Sequence, residues 1–515
     1  MKKSILSGAI FLTIVSIISK FIGVFFRIPM THMIGAIGNG IYTFPIQLFA
    51  PIIAMISAPS VVIARMVSEN SSDKNRIKVL KASREFMIHY GLVLTVILIL
   101  LGPSLTHTLW PKEVIAAYIA LLPAPIFLAL TTTYKGYHQG LQEMKPIAIQ
   151  QFADGIGRLV FGLGLTMILV KISVPLGAAG ATFGTTAGAI TGFICIYVHH
   201  KRHTNPLEVS ITPNEKKTIK HELWTVALPI TVSALGANMM GFIDGLLVQS
   251  RLSTIGYSSA DVLTYNGVLS SINTITSIPL VIAIAVSLNA LPNIVAAKKY
   301  GLTYTLTRMR SSMILIIGLS IPCGVGLFLV GKDVFSLFYG TLPTDHFLME
   351  IASISVVFMM INMGLTALLQ AFKLEKVTVR HMYYAVAIKF ITTFVLLGIP
   401  SIHIHGAAIG TCLAYILVVF LNLFSCFKAG FRLDTRYMVI IPILSSLFMG
   451  LIVYVIVSTI SDIIGTVIGI VVGSSIYGIF MLLFKVVAPK DIPFIRKWVK
   501  WKKLNLYFFL WYLRW

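Results

Sequence analysis

The chain has 515 residues, of which 57% are hydrophobic and only 11% charged, with a mean hydropathy of +0.89. That balance excludes a water-soluble domain and gives an integral membrane protein. A net charge of +23 would point to nucleic acid in a soluble chain, but here its distribution reports topology, so no nucleic-acid partner is expected.

Met1, Lys2 and Lys3 lead into the first apolar run without a small-x-small cleavage site, so they read as the cytoplasmic cap of a span rather than a signal peptide. That span, 5–30, carries Lys20 and Arg27 where a membrane helix should carry no charge. Seven residues apart, they share one helix face, roughly 10 Å apart along the axis. Each would cost roughly 2.5–3.5 kcal/mol at a helix centre, so such residues normally face a bundle interior or a wet cavity. Lys20 lies about 22 Å from the start of the run, too deep for easy escape to a headgroup layer. The pair predicts a cationic cavity; a snorkelling anchor is the plainer alternative, stronger for Arg27 near the far end.

Further apolar runs fall at about 43–66, 86–106, 113–133, 147–170, 178–198, 223–249 and 264–290, then 311–331, 347–371, 379–399, 405–427, 437–459 and 464–487. With the first, they predict about fourteen transmembrane helices in an all-α fold. Of the 41 lysines and arginines, only Lys112, Lys171, Arg251 and Lys332 fall at odd-numbered junctions, and Lys20, Arg27, Arg158 and Lys389 fall inside spans. All others sit at the termini or even-numbered junctions, which places both termini in the cytoplasm of a multi-pass protein. Cys195, Cys323, Cys412 and Cys426 lie in apolar runs and offer neither a disulfide framework nor a CxxC metal site.

The two halves repeat one another. Ser57-Ala58-Pro59 is matched by Ser277-Ile278-Pro279, Gln139 to Lys145 by Gln370 to Lys376, and Gly177 to Thr182 by Gly406 to Thr411, at nearly constant offset. Six spans per half is an even number, so the repeat is parallel, about an axis along the membrane normal. The expected organisation is an N-lobe over 1–200, a basic cytoplasmic linker over 201–221, a C-lobe over 222–427 and two further spans over 428–488. The tail 489–515, rich in Lys, Arg and Trp, suits an interfacial helix that anchors to membrane lipids. Gly23, Pro59 and Pro279 are candidate hinges.

The repeat offset also pairs Arg158 with Lys389, both near mid-span, and predicts that they face one another across the cavity between the halves. Asp154, one turn before Arg158, offers a structural alternative by pairing with it. Asp244 is expected to pair with a cation of the first span, or to exchange a proton or sodium ion. Arg65 lies where the second span meets the cytoplasm and divides between cavity and ordinary positive-inside roles. Gln150 and Gln151 would offer amides either to a sugar or to helix packing. His381, His403 and His405 lack a second ligand at metal spacing and read as interface residues, so no metal is expected. Bases with few acids suit a polyanion, and at bilayer depth the plausible one is the pyrophosphate of a lipid carrier.

Ser19-Lys20-Phe21-Ile22-Gly23 with Arg27, Ile34-Gly35 and Gly40-Ile41-Tyr42 resembles the first span and loop of the stage V sporulation protein B-like family. Tyr137 to Gly140, Lys145-Pro146, the Gln151, Asp154, Arg158 series, Tyr265-Asn266-Gly267, Pro279 and Leu291-Pro292 extend the likeness over most of 1–427. The family stands with MurJ-type lipid II flippases, polysaccharide exporters and, more distantly, multidrug and toxin extrusion (MATE) transporters. The resemblance implies two six-helix lobes in a V, alternating access, and a cationic cavity that flips an undecaprenyl-pyrophosphate-linked saccharide outward across a bacterial cytoplasmic membrane. It also implies a tail groove built by the two extra helices. Lys20 stands where Arg is common and Asp154 where Glu is common; lysine lacks the bidentate fork.

A drug or cation antiporter on the same fold would need more buried carboxylates than mid-span cations, the reverse of what is found. A membrane glycosyltransferase or polymerase is expected to display acids on an outer loop, yet residues 31–41 contain none. No GxxxxGK[ST] loop is visible, so an ion gradient or the membrane potential is the expected energy source, with no cofactor and no enzymatic step. The carrier is expected to be a monomer.

Overall fold

The computed structural model describes residues 2–105, 109–203, 209–340, 342–343, 345–460, 463–484 and 486, with the backbone alone for 2–10, 13, 237, 288–289 and 291–293. The tail expected over 489–515 lies outside them. Every regular element among the described residues is helical. In a bilayer the backbone must satisfy its own polar groups, and apolar runs this long do so as helices.

The first half comprises α1 (Lys2–Ser57), α2 (Pro59–Glu69), α3 (Asp73–Ser104), α4 (Ile115–Leu121), α5 (Ala124–Gly140), α6 (Met144–Leu169) and α7 (Val174–His203). The second comprises α8 (Pro213–Thr254), α9 (Ser259–Ala297), α10 (Leu302–Tyr339), α11 (His346–Ala371), α12 (Glu375–Leu397) and α13 (His405–Lys428). α14 (Ile441–Thr459) and α15 (Ile463–Leu483) follow and pack on α10.

Eleven helical runs are long and apolar enough to cross a membrane, or up to twelve with the bent pair Pro213–Gly236 and Asn238–Thr254. With the bent pair counted as one span, two features separate twelve from the expected fourteen. The run Ile14–Glu69 holds both the first and second expected spans. Helix α12, which carries Glu375, Lys376, Arg380 and Lys389, is not among the eleven. Within α1 the direction changes at Gly35, whose φ of 69° and ψ of −174° leave the helical region. A Cβ there would meet open space, so conformation rather than crowding requires glycine.

The internal repeat is realised in hydrogen bonds. Between α5 and α6, Leu141, Gln142 and Glu143 donate to the carbonyls of Tyr137, Gln139 and His138. Between α11 and α12, Phe372, Lys373 and Leu374 donate to Leu368, Gln370 and Leu369, the same pattern 231 residues on. Gln142 and Lys373 are the matching left-handed residues, at φ 62° and 61°. Thr182 and Thr411 each bond back to the carbonyl four residues earlier, near the starts of α7 and α13.

The expected linker 201–221 is largely helical. Helix α7 runs to His203, and α8 starts at Pro213 behind a reciprocal Thr212–Glu215 capping box. The N-terminal part of α8 docks on the first half: Lys78 pairs with Glu215 at 2.5 Å, and Lys216 and Lys220 both reach Glu85. A 60° bend at Gly236–Asn238 then carries the rest of α8 to the second half.

Candidate functional site

The two halves meet where α1 lies against α9, at the end of the bundle opposite the basic loops. Gly40 and Gly267 make the approach possible. A Cβ on Gly40 would stand 2.0 Å from the Leu263 carbonyl oxygen, and one on Gly267 2.0 Å from that of Ala36. With the backbones this close, the buried Asn39 donates from Nδ2 to the Gly267 carbonyl at 2.8 Å and to Ser271 Oγ at 2.9 Å. Small residues and interhelical amides are the usual adhesive where apolar side chains gain nothing by leaving lipid. Beside this seam, Trp110 donates its indole N–H to the Gly245 carbonyl of α8 at 2.8 Å, and His32 bonds the Phe338 carbonyl at 2.7 Å.

Arg27 belongs to this seam. Its Nη1 donates to Ser270 Oγ at 3.1 Å and Thr274 Oγ1 at 3.0 Å on α9, and the guanidinium lies 5.6 Å from the centre of the Tyr42 ring. It therefore faces the other half rather than snorkelling. Lys20 lies two turns nearer the basic end on the same face, is exposed, and has no hydrogen-bond or ion-pair partner among the described residues. One turn further, Ser16 donates to Gln151 Oε1 of α6 at 2.7 Å. The stripe Ser16, Lys20, Arg27 thus runs along α1 from an attachment within the first half to one across the interface.

The other expected cations are committed elsewhere. Arg158 and Lys389, predicted to face one another, each pair within their own half. Arg158 lies 3.5 Å from Asp154 on its own helix, and Asp154 itself packs against Gly188 of α7. Lys389, 1% exposed, donates to Asp244 Oδ2 at 2.7 Å and Thr411 Oγ1 at 2.9 Å. Asp244 accordingly pairs with α12 rather than with the first span. An ammonium and a carboxylate at matching depth in one lobe neutralise each other before either reaches across a wet interface. Arg65 is exposed and pairs with Glu69 one turn on, at the basic end. Gln150 is buried against Gly192 of α7, a packing position. His381 is buried and bonded to Asn422 at 2.8 Å rather than lying at an interface.

Of the candidate hinges, Pro59 stands at an interruption, in the first turn of α2 where a missing N–H costs little. Helix α1 continues through Gly23 and α9 through Pro279. Pro279 instead lines an open apolar cavity of about 700 Å³ bordered by α9, α10, α14 and α15, with Pro322, Gly326, Gly473 and Tyr477 among its walls. Tyr477 ties α15 to α10 by donating to the Gly318 carbonyl at 2.5 Å. Among the described residues no group of three or more His, Cys, Asp or Glu side chains is placed to hold a metal.

Asn39, Ser270, Thr274 and Trp110 were not singled out by sequence reasoning. Their signal was indirect: Gly40 follows Asn39 and Gly267 lies about one turn before Ser270, and the need for two glycines is visible only once the helices are set side by side.

The chain is 24% identical over 458 residues to the lipid II flippase MurJ of Bacillus subtilis (strain 168), covering 81% of each protein. It is 24% identical over 438 residues to the stage V sporulation protein B of the same organism, covering 82% of this chain and 83% of that one. A solved structure of lipid II flippase MurJ in an inward closed conformation superposes with a TM-score of 0.67 at 19% identity, over 92% of this chain and 98% of that one. The chain's fold is therefore that of this multi-pass helical membrane protein. Residues 5–297, more than half of the chain, match the family model for polysaccharide biosynthesis proteins, and the chain belongs to that family.

Proposed function

We propose that this protein carries a saccharide linked through pyrophosphate to a polyprenyl tail from the inner to the outer leaflet, by opening the space between its halves alternately to either side. The observation that carries this reading is the cationic stripe of α1. Arg27 holds the two halves together at one end, and Lys20 lies on the same face nearer the other end, without a partner among the described residues. A bundle that leaves an ammonium unpaired at bilayer depth gains by receiving an anion there. The curated relatives, one described as a lipid II flippase, support a lipid-linked substrate. The apolar cavity between α9, α10, α14 and α15 suits the tail.

The basic loops orient both termini to the cytoplasm, so the α1–α9 seam is the outer gate and is shut in this conformation. The carrier works as a monomer, without covalent chemistry. For energy coupling we favour the membrane potential acting on the charged substrate over a coupling ion. The buried carboxylate best placed to take an ion, Asp244, already holds the Lys389 ammonium. The same pairing weakens the antiporter alternative, which needs a free buried acid for a cationic substrate.

The test is transport by the full chain in proteoliposomes, using a fluorescent undecaprenyl-pyrophosphate disaccharide and a quencher outside. Losing one charge-assisted contact to phosphate is worth about 1.5–3 kcal/mol. Lys20→Ala should therefore slow transport at least about tenfold, and Lys20→Arg should restore most of it. Transport by Lys20→Ala at the parent's rate would refute the cavity role.

A further inference from the structure

At the basic end of the bundle a second cavity, of about 570 Å³, is bordered by Tyr300, Tyr304, Arg308, Ser311 and Ser312. It adjoins the apolar cavity, with which it shares Ile314 and Leu315 of α10. The two together form a long apolar space ending in a polar mouth that holds a guanidinium. Neighbouring cations are occupied: Arg310 pairs with Asp434, and Lys298 lies 5.4 Å from the centre of the Phe372 ring. Arg308 also lies over a ring, 5.1 Å from the centre of Tyr304, but that ring belongs to the mouth itself. The guanidinium donates through Nε and Nη2 to the Tyr304 hydroxyl at 3.2 and 2.6 Å and, among the described residues, meets no carboxylate.

That arrangement leaves donors to spare. A guanidinium carries five N–H groups in a planar fork, and a tyrosine hydroxyl that accepts from it keeps its own proton to give. Tyr304 sits in the first turn of α10, which starts at Leu302 behind Gly301 with no side-chain cap, so the positive end of the helix dipole adds to the same field. Ser311 and Ser312 donate back to the carbonyls of Thr307 and Arg308, which keeps the wall polar without adding charge. The complement of this space is an anion attached to a long apolar chain. A polyprenyl phosphate, the substrate class proposed above, has this form: a hydrocarbon chain for the apolar walls and a phosphate for the polar mouth.

We propose that this mouth is a loading site for the phosphate of a polyprenyl-linked lipid, where the head rests on Arg308 and Tyr304 while the tail lies between α9, α10, α14 and α15, before the head passes to the interlobe stripe. The proposal rests on the transport reading above and adds to it a recognition residue outside the interlobe space.

The experiment measures binding of undecaprenyl pyrophosphate to the full chain in phosphatidylcholine nanodiscs, in the Lys20→Ala background so that interlobe recognition is weakened. Undecaprenol and phosphatidylglycerol serve as probes lacking the phosphate and the single tail, respectively. Arg308→Gln should weaken undecaprenyl pyrophosphate binding at least tenfold and leave undecaprenol binding unchanged. Gly478 lines the apolar cavity, and a Cβ there meets open space, so Gly478→Leu should fold and weaken both polyprenyl ligands. Equal affinity of Arg308→Gln and its parent for undecaprenyl pyrophosphate would overturn the loading site. So would displacement by equimolar phosphatidylglycerol, which would make the mouth a general phospholipid site. If Arg308→Gln in the otherwise native chain also transports at the full rate, the loading site falls and the transport reading stands. If the native chain neither binds undecaprenyl pyrophosphate nor transports its saccharide derivative, both fall.

Discussion

Breaking the Lys389–Asp244 pair offers a sharp test of how the second half is held together. The two charges are 2.7 Å apart and nearly inaccessible, at 1% and 7% side-chain exposure. At an effective dielectric of about 20 their attraction is about 6 kcal/mol, most of it offset by the cost of removing both ions from water. Lys389→Met deletes the attraction but leaves the Asp244 carboxyl buried without its counter-ion, and among the described residues Oδ1 already lacks a hydrogen-bond partner. That variant should lose about 3–5 kcal/mol of stability, and Asp244→Leu a similar amount. The double variant Lys389→Met with Asp244→Leu should recover most of the loss, since neither ion then remains. The assay is reversible unfolding of the full chain in mixed micelles, read as a double-mutant cycle. Additive losses, or single variants costing under about 1 kcal/mol, would refute the claim that each charge is buried because of the other.

Two further outcomes follow from other parts of the molecule. Gly40→Ala or Gly267→Ala places a methyl group 2.0 Å from a backbone oxygen of the facing helix. Overpacking of this kind costs about 1–3 kcal/mol, so the seam should part. Disulfide formation between cysteines at Asn39 and Ser271, which are hydrogen-bonded in this conformation, should then fall sharply relative to the same cysteines with both glycines intact. At the opposite end from the basic loops, burial and the neighbouring His405 hold His403 below its ordinary value of 6.5. For Asp345, burial pushes the carboxyl up, but bonds from His405 and the Leu348 amide outweigh it and hold the carboxyl below its ordinary 3.8. Below pH 6.5 the unfolded chain takes up a proton at His403 more readily than the folded one, so stability falls with pH from there. The Asp345 contribution is present above 3.8 and is lost only as pH falls through its lower folded value. Melting temperature should thus decline between pH 7 and 5, and His403→Gln should flatten that slope; an unchanged slope would remove His403 from the account.

Composition and periodicity settled what depends on local chemistry. Runs of apolar residues can satisfy their backbones in lipid only as helices, and the distribution of Lys and Arg marks one end of the bundle. The repeat was legible because it recurs in turn chemistry: Gln142 and Lys373 occupy matching left-handed positions, and such positions leave a trace in short motifs. Even Lys20 and Arg27 could be placed on one face from a spacing of seven.

What the sequence could not decide was which charges find one another. Arg158 and Lys389 stand at equivalent positions in the two halves, which invited the expectation that they face a common space. Asp154 takes one within its own helix, and Asp244, 145 residues away, takes the other. Ion pairing at bilayer depth is decided by which acid is nearest in space, and that depends on the bend in α8 and the packing of α8 on α12. The α1–α9 seam was hidden for the same reason, because a close approach such as that of Gly40 to Gly267 belongs to two helices at once and is written in neither alone.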